Sequence, residues 1–371
     1  MNLSYWELDT YFRDVDFTIV GSGIVGLSTA YHLRLKHPKA KILVLEKGIL
    51  PEGASTKNAG FACFGTLSEI LWYLETNAED EIYNLVERRY KGLQKLRNLL
   101  SDDIIDYQEQ GGFEIFRNED KELMDKSLAK LEEINQWLRP VFGSDVYKKS
   151  ERNFGFGNTI GMIETAFEGH IHTGKMMKAF LRLVQSENIS VLNNVKVTNI
   201  SDRSDYVELE LNEKFNLKSG KVFLCTNAFT SELYDLDVVP ARAQVLVTKP
   251  IENLPIKGCF YMDEGFYFFR NTGNRILFGG GRNLDIEGET TTEFGTTSQI
   301  QQQLEIYLRE IILPNQPIEI EHRWSGIMGM GSHRSPIVKQ LSENVFCGVR
   351  LTGTGIAIGS LVGEELAALL D

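Results

Sequence analysis

The apolar run FTIV ends abruptly at Gly21, and the residues after it, GSGIVGLSTAYHLRLK, carry apolar side chains at helical spacing as far as about Lys36. A second apolar run, KILVLE, follows and closes on Glu46. Continuous rather than alternating hydrophobicity marks strands buried on both faces, so this stretch predicts a strand, helix, strand unit inside a parallel sheet. Beyond residue 65 the pattern SEILWYLETNAEDEIYNLVERRYKGLQKLRNLL is helical, IDYQEQGGFEIF reads as a hairpin turning at its paired glycines, and a charged helix is expected around 120 to 138. GKMMKAFLRLVQSEN reads as a helix with Thr173 as N-cap, and VLNNVKVTNI, YVELELN and KVFLCTN as strands. From 241 the strands lengthen. GFYFFRNTGNRILFGGG folds back at NTGN, a helix is expected near 297 to 312, and the chain closes on a strand, a glycine-rich loop and a helix in VFCGVRLTGTGIAIGSLVGEELAALL.

The spacing of the first glycines carries chemistry. Gly21 suits the tight turn, Gly23 admits a pyrophosphate to the backbone, and Gly26 packs helix against strand. The amides of Ile24 and Val25 then open a helix N-terminus, a ready anion site. Glu46, 20 residues past Gly26, stands where a carboxylate accepts hydrogen bonds from a ribose diol, with Lys47 beside it. A dinucleotide site is predicted here. The C-terminal loop LTGTG adds Gly353, Gly355 and Ile356 at the start of a second helix, which implies a cofactor held from both ends of the chain. In GFYFFR the strand period places Tyr267 and Phe269 on one face and Phe266, Phe268 and Arg270 on the other; one face is expected to line a substrate pocket, with Tyr267 as the candidate side chain.

Composition narrows the partners. The chain has 371 residues, ample for two domains, and its formal net charge of −12, with no Lys/Arg-rich run, excludes a nucleic-acid surface. Cys63, Cys225, Cys259 and Cys347 show no metal-site spacing, so neither a disulfide framework nor a metal is expected. The N-terminal segment lacks the pattern of a secretory signal and no apolar stretch reaches ~18 residues, so a cytoplasmic protein without a transmembrane segment is expected.

The motifs GSGIVG, LVLEKG, GASTKNAG, EGHIHTGKMMKAF, VFLCTNAF, ILFGGG, HRWSGI and LTGTGIAIGSLVGEELA, spread in order over nearly the whole chain, resemble those of the D-amino-acid-oxidase, glycine-oxidase and sarcosine-oxidase superfamily of FAD enzymes. SYWE, TKNAG, CTNAFT and HRSPIV look most similar to the gamma-glutamylputrescine oxidoreductase-like branch. The resemblance implies an α/β fold: a Rossmann-like FAD-binding domain, from residues 1–80, 150–235 and 325–371, interleaved with a substrate domain, from 81–149 and 236–324, built on a mostly antiparallel sheet. It further implies that ASTKNAG wraps the pyrophosphate and runs beneath the flavin ring. Ser55 and Thr56 would bond to phosphate, Asn58 would reach cofactor or backbone, and Gly60 would let the chain pass the ring. Val197 would meet adenine, Asn227 would follow a cofactor-facing strand, and Gly353, Gly355 and Ile356 would face the flavin's pyrimidine edge.

The expected activity is oxidation of the C–N bond of an amine or amino-acid derivative by hydride transfer to flavin N5, giving an imine that hydrolyses, with non-covalent FAD and with O2 or a quinone as electron acceptor. Two alternatives stay open: an FAD-dependent 2-hydroxy acid oxidoreductase, and a catalytically degenerate FAD-binding protein. Three departures matter. Met328 stands at the position that resembles the carboxylate-anchoring arginine of glycine and D-amino-acid oxidases, Ala357 stands at that of a second anchoring lysine, and Leu277 falls where relatives place an oxygen-activating lysine. Arg323, Arg334 and Arg350 lie near the motifs as cations able to hold an anionic group, and Tyr267, Arg350 and Met328 are the expected pocket residues.

Overall fold

A computed structural model describes residues 3–314 and 316–370 and shows two large sheets. The first is built as the apolar runs predict. Val15–Val20 pairs in parallel with Ile42–Leu45 on one side and with Phe215–Leu224 on the other; Ser190–Leu192 and Val345–Val349 extend it outward, also in parallel. Antiparallel strands Ile337–Ser342, Val207–Leu211 and Val197–Asp202 complete it. All four residues of Ile42–Leu45 are buried, because the sheet is covered on both faces. On one face Leu27, Ala30 and Leu33 of the helix Ile24–Lys36 pack with Ile358, Val362 and Leu366 of the C-terminal helix Gly355–Ala368 and with Leu93 and Leu96 of the helix Glu79–Leu100. On the other face Val207, Leu209, Leu217 and Val222 form a second cluster.

The second sheet runs in the order Ile320–Met330, Val239–Thr248, Arg275–Gly280, Tyr267–Thr272, Cys259–Met262, Gly112–Arg117, Thr159–Thr165, Lys148–Lys149. Every pairing in it is antiparallel except Cys259–Met262 with Gly112–Arg117. One face packs Phe260, Phe269 and Phe278 against Ile300 and Leu304 of the helix Ser298–Tyr307. The opposite face turns toward the first sheet and carries Val245, Leu277 and Phe268, with Ala59 against them.

Several expectations are corrected. The paired glycines 111 and 112 do not turn a hairpin: Gly112–Arg117 enters the second sheet between strands that lie far away in sequence. The predicted long helix is two, Leu67–Thr76 and Glu79–Leu100, broken at Asn77, whose backbone is extended. His172 rather than Thr173 caps the helix Thr173–Ser186, its Nδ1 accepting the amide of Lys175 at 3.2 Å, while the Thr173 hydroxyl donates to Asn58 Oδ1 at 2.8 Å. Strand membership also departs from the expected division. Thr159–Thr165, expected with the nucleotide part, lies in the second sheet, as do the last residues of Ile320–Met330, whereas Glu79–Leu100 packs on the C-terminal helix of the nucleotide part. The outermost bounds of that division, residues 1 and 371, fall outside the described residues.

Candidate functional site

A cavity of about 560 Å³ runs between the two sheets, lined from Val20 and Gly21 at one end to Trp72 and Tyr73 at the other. Gly21 has φ +104°, and a Cβ on Gly26 would stand 1.9 Å from the carbonyl oxygen of Gly21, so turn and helix touch through backbone alone. Gly23 caps the helix Ile24–Lys36 with no side-chain bond, and Thr354 does the same for Gly355–Ala368; both helix starts line the cavity and present it with partial positive charge. Glu46 is buried. Its Oε2 accepts from the Ser22 amide at 3.1 Å and hydroxyl at 2.8 Å, and its Oε1 from the Gly48 amide at 3.1 Å, so the carboxylate is held rigid at the wall. Lys47 lies against Phe229, its Nζ 3.4 Å from the ring centroid.

Most of the residues expected at the cofactor come together here. Gly21, Gly23, Ile24, Val25, Glu46, Lys47, Ser55, Asn58, Val197, Asn227, Gly353, Gly355 and Ile356 all line this one cavity. Ser55 Oγ accepts the Ile24 amide at 3.0 Å, which joins the small-residue loop to the helix start. Three members do other work than expected. Thr56 is not in the lining; its hydroxyl donates to the carbonyls of Pro51 and Gly53 and closes the turn. Asn58 spends its polar atoms on the protein, Nδ2 donating to Ala54 O and Ser55 O and Oδ1 accepting from the Gly60 amide at 2.9 Å. Gly60, at φ +81°, is needed because a Cβ there would meet Ile171 O at 2.5 Å and Arg270 Nη2 at 2.6 Å. Its close neighbour is the protein itself. Asn227, at φ +46°, accepts the Arg350 amide at 3.0 Å and ties the strand end Phe215–Leu224 to the C-terminal loop.

On the substrate side two expectations fail. Tyr267 is buried on the far face of its strand against Phe278 and Tyr307, outside the cavity; Phe266 and Phe268 line it instead, because the two-residue period turns the other set inward. Arg350 is buried and committed. Its guanidinium donates to Asp237 Oδ2 at 2.5 Å and to Ser335 O at 2.9 and 3.0 Å, outside the lining. Arg323 is likewise paired, with Glu305 at 2.6 Å. Met328 does face the cavity, beside Gly353, where a Cβ would lie 3.4 Å from its sulfur. Leu277 sits behind the lining in an apolar cluster with Ala59, Val245 and Phe268.

Sequence reasoning missed a wall built by the helix Leu67–Thr76 and its surroundings. Thr66 caps this helix through the Glu69 amide, at 3.2 Å. Leu67, Ile70 and Tyr73 form its buried stripe, while Glu69, Trp72 and Tyr73 reach the cavity. The Tyr73 hydroxyl donates to Glu69 Oε1, and the fully buried Arg89 stands 3.9 Å from the same oxygen. Tyr261 closes the adjoining corner with Phe61, ring centroids 5.4 Å apart. Its hydroxyl donates at 2.8 Å to Glu168, whose carboxyl burial pushes up to about 7. Beneath the small-residue loop, Arg270 donates to the carbonyls of Ala59, Ile171 and Asn271, and burial brings its guanidinium down to about 10. An aromatic pair on a helix gives no sequence signal of which face covers a site, so Trp72 and Tyr73 were legible only as helix residues.

Residues 16–369 match the family model described as FAD dependent oxidoreductase, DAO. The chain belongs to this family. It is similar to gamma-glutamylputrescine oxidoreductase of Escherichia coli, with 22% identity over 99% of this chain and 86% of that protein. Among solved structures it resembles iminodiacetate oxidase from Chelativorans sp. BNC1, at a TM-score of 0.77 with 16% identity over 95% of each chain. It also resembles L-proline dehydrogenase from P. horikoshii, at a TM-score of 0.75 with 16% identity over 96% of this chain and 93% of that one. The cavity fits FAD on its own geometry. One end offers a glycine turn too tight for any Cβ, a helix start whose first amide is bonded to Ser55, and a rigid carboxylate; the other offers a second helix start at Gly355. Among the described residues no helix is long and apolar enough to cross a membrane, and no cluster of ligands suits a metal.

Proposed function

We propose that this FAD-dependent oxidoreductase oxidises the C–N bond of an amine or amino-acid derivative. FAD, when bound, supplies the acceptor for a hydride from the carbon next to nitrogen. The products are an imine, which water hydrolyses to a carbonyl compound, and a released amine or ammonia. The chain's own residues bind and orient. Gly23, Ile24, Val25 and Ser55 would take the pyrophosphate, Glu46 the ribose, Val197 the adenine side, and Gly353, Gly355 and Ile356 the edge of the ring system where negative charge develops on reduction. Phe61, Tyr261, Phe268 and Met328 give the substrate an apolar, water-poor surface that favours the neutral amine, the form able to lose hydride.

The observation that carries this reading is the wall opposite the nucleotide end. It is aromatic and thioether-rich, and Met328 and Ala357 put no cation at the two positions where the resemblance places carboxylate anchors. Histidine is absent from the lining, so the O–H deprotonation a 2-hydroxy acid requires has no imidazole base among the described residues. Non-covalent FAD is part of the proposal. The acceptor is O2 or a quinone, and the structural neighbours include an oxidase and a dehydrogenase alike.

Anaerobic reduction of the bound flavin tests the proposal. Alkyl amines or acylated diamines should bleach it faster than glycine, sarcosine, D-alanine or 2-hydroxy acids. Met328→Arg should shift the preference toward the amino acids by about 10- to 100-fold, the value of one charge-assisted bond to a carboxylate. A flavin reduced fastest by a hydroxy acid, or reducible by light and by no amine, rules the proposal out. Flavin that stays with acid-precipitated protein rules out the non-covalent assignment and directs attention to Cys63, a thiol that lines the cavity.

A further inference from the structure

The inward-facing arginines are mostly committed to protein acceptors: Arg117 to Asp120, Arg242 to Glu289, Arg323 to Glu305 and Arg350 to Asp237 by ion pairs, and Arg270 to three backbone carbonyls. Arg282 and Arg334 are exceptions. Both are half-buried and both line the cavity, yet neither guanidinium has a carboxylate within ion-pair distance among the described residues. Arg334 lies instead over the rings of Trp72 and Tyr73, 4.9 Å from each centroid. Two of the acids nearby are otherwise engaged. Glu289 is held by Arg242 at 2.7 Å and by Gln244 at 2.9 Å, and Glu69 by the Tyr73 hydroxyl. Glu264 has Asp263, Glu75 and Lys126 as its charged neighbours. Burial, and after it the charge of Arg334, lower the pKa of Arg282, while the Glu289 carboxylate opposes them only in part, so the two cations feel each other with no ion pair to neutralise either.

The wall leading to this pair is graded. On the strand Ile320–Met330 the alternate residues Gly326, Met328 and Met330 face the cavity, and the chain then passes through a short loop to Arg334. The lining therefore runs from small, to thioether, to guanidinium. We propose that Arg282 and Arg334 form an anion-binding subsite that takes a carboxylate carried at the far end of an alkyl spacer on the amine substrate. Methionine side chains adapt to a flexible methylene chain, and a pair of guanidinium forks matches the two oxygens of a carboxylate. Stacking on Trp72 and Tyr73 holds Arg334 in place before the substrate arrives, which reduces the ordering needed on binding.

This inference rests on the amine reading for the reacting end only, and its test separates the two. FAD-loaded protein is titrated with hexanoate and with hexanamide, and binding is followed by calorimetry and by the visible spectrum of the oxidised flavin. Hexanoate should bind at least 10-fold more tightly. Arg334→Gln and Arg282→Gln should each remove that preference while flavin content and the melting temperature stay unchanged, and Arg334→Lys should restore part of it. In turnover, 6-aminohexanoate should exceed hexylamine in kcat/KM, and the same variants should level the two. Equal binding of acid and amide overturns the subsite. So does a variant that shifts the flavin spectrum or potential yet leaves the acid preference intact, which would give the arginines to the cofactor. If no amine reduces the flavin while hexanoate binding behaves as described, the amine reading fails and the subsite stands.

Discussion

Replacing Arg350 by methionine should weaken the protein without changing what it prefers to oxidise. The guanidinium makes one bond to Asp237 Oδ2 at 2.5 Å, one to Asp237 O at 3.3 Å and two to Ser335 O at 2.9 and 3.0 Å. Asp237 is 41% exposed at its side chain, so water rehydrates it once the pair is broken, and the ion pair contributes about 1 kcal/mol rather than the several of a fully buried one. The Ser335 carbonyl loses both donors, and bonds from a charged group contribute roughly 1.5–3 kcal/mol each before the shared acceptor is discounted. About 3 kcal/mol in all is expected. With an unfolding entropy near 2.1 cal/mol/K per residue, a chain of 371 residues loses about 4 °C of melting temperature for that change. Methionine at Arg350 keeps its amide on Asn227 and inherits the same φ of +63°, so the C-terminal loop stays seated. The assay is release of flavin fluorescence on heating, paired with kcat/KM for a carboxylated and a neutral amine. A drop of about 4 °C with an unchanged substrate ratio is the expected result. An unchanged melting temperature with selective loss of the carboxylated substrate would show Arg350 to be a substrate anchor and refute the reasoning.

Three further outcomes follow from single contacts. Gly26→Ala places a methyl against the Gly21 carbonyl, backbone that has no room to give, so the purified protein should be pale and short of FAD by absorbance; a fully yellow protein would mean the turn relaxes at little cost. Leu277 packs behind the lining among apolar groups, so stopped-flow reoxidation in air should be slow in the natural protein and faster in Leu277→Lys, and rates typical of efficient oxidases without the lysine would contradict this. Glu168 and Glu114 are carboxyls raised to about 7 by burial, so the folded state holds protons that the unfolded state releases near 4.5. Their stabilising contribution is full below about pH 4.5 and is lost as pH rises toward 7, so the melting temperature should fall between pH 5 and 8, and Glu168→Gln should reduce the slope; a slope identical in the variant would assign the effect elsewhere.

How much was legible in the sequence depended on how local each feature is. The strand ending at Val20, the glycine turn, the helix to Lys36 and the strand before Glu46 are set by neighbours in the chain, and their apolar runs and glycine spacing could be read directly. The same holds for the C-terminal glycine loop and helix, and for the fold-back at Gly273. Register across distant segments left no such trace. Gly112–Arg117 finds its partners 42 residues or more away, so the paired glycines could not reveal that they begin a central strand rather than turn a hairpin. Which face of a strand or helix meets the cavity was also beyond local pattern: period two separates Tyr267 from Phe268, but only the packing of Ser298–Tyr307 against one side decides that Tyr267 is core and Phe268 is wall. Charge behaved the same way. Arg350 and Arg334 are equally cationic in the sequence, and the difference between a structural clamp and an open guanidinium arises because folding brings Asp237 to the first and only the rings of Trp72 and Tyr73 to the second.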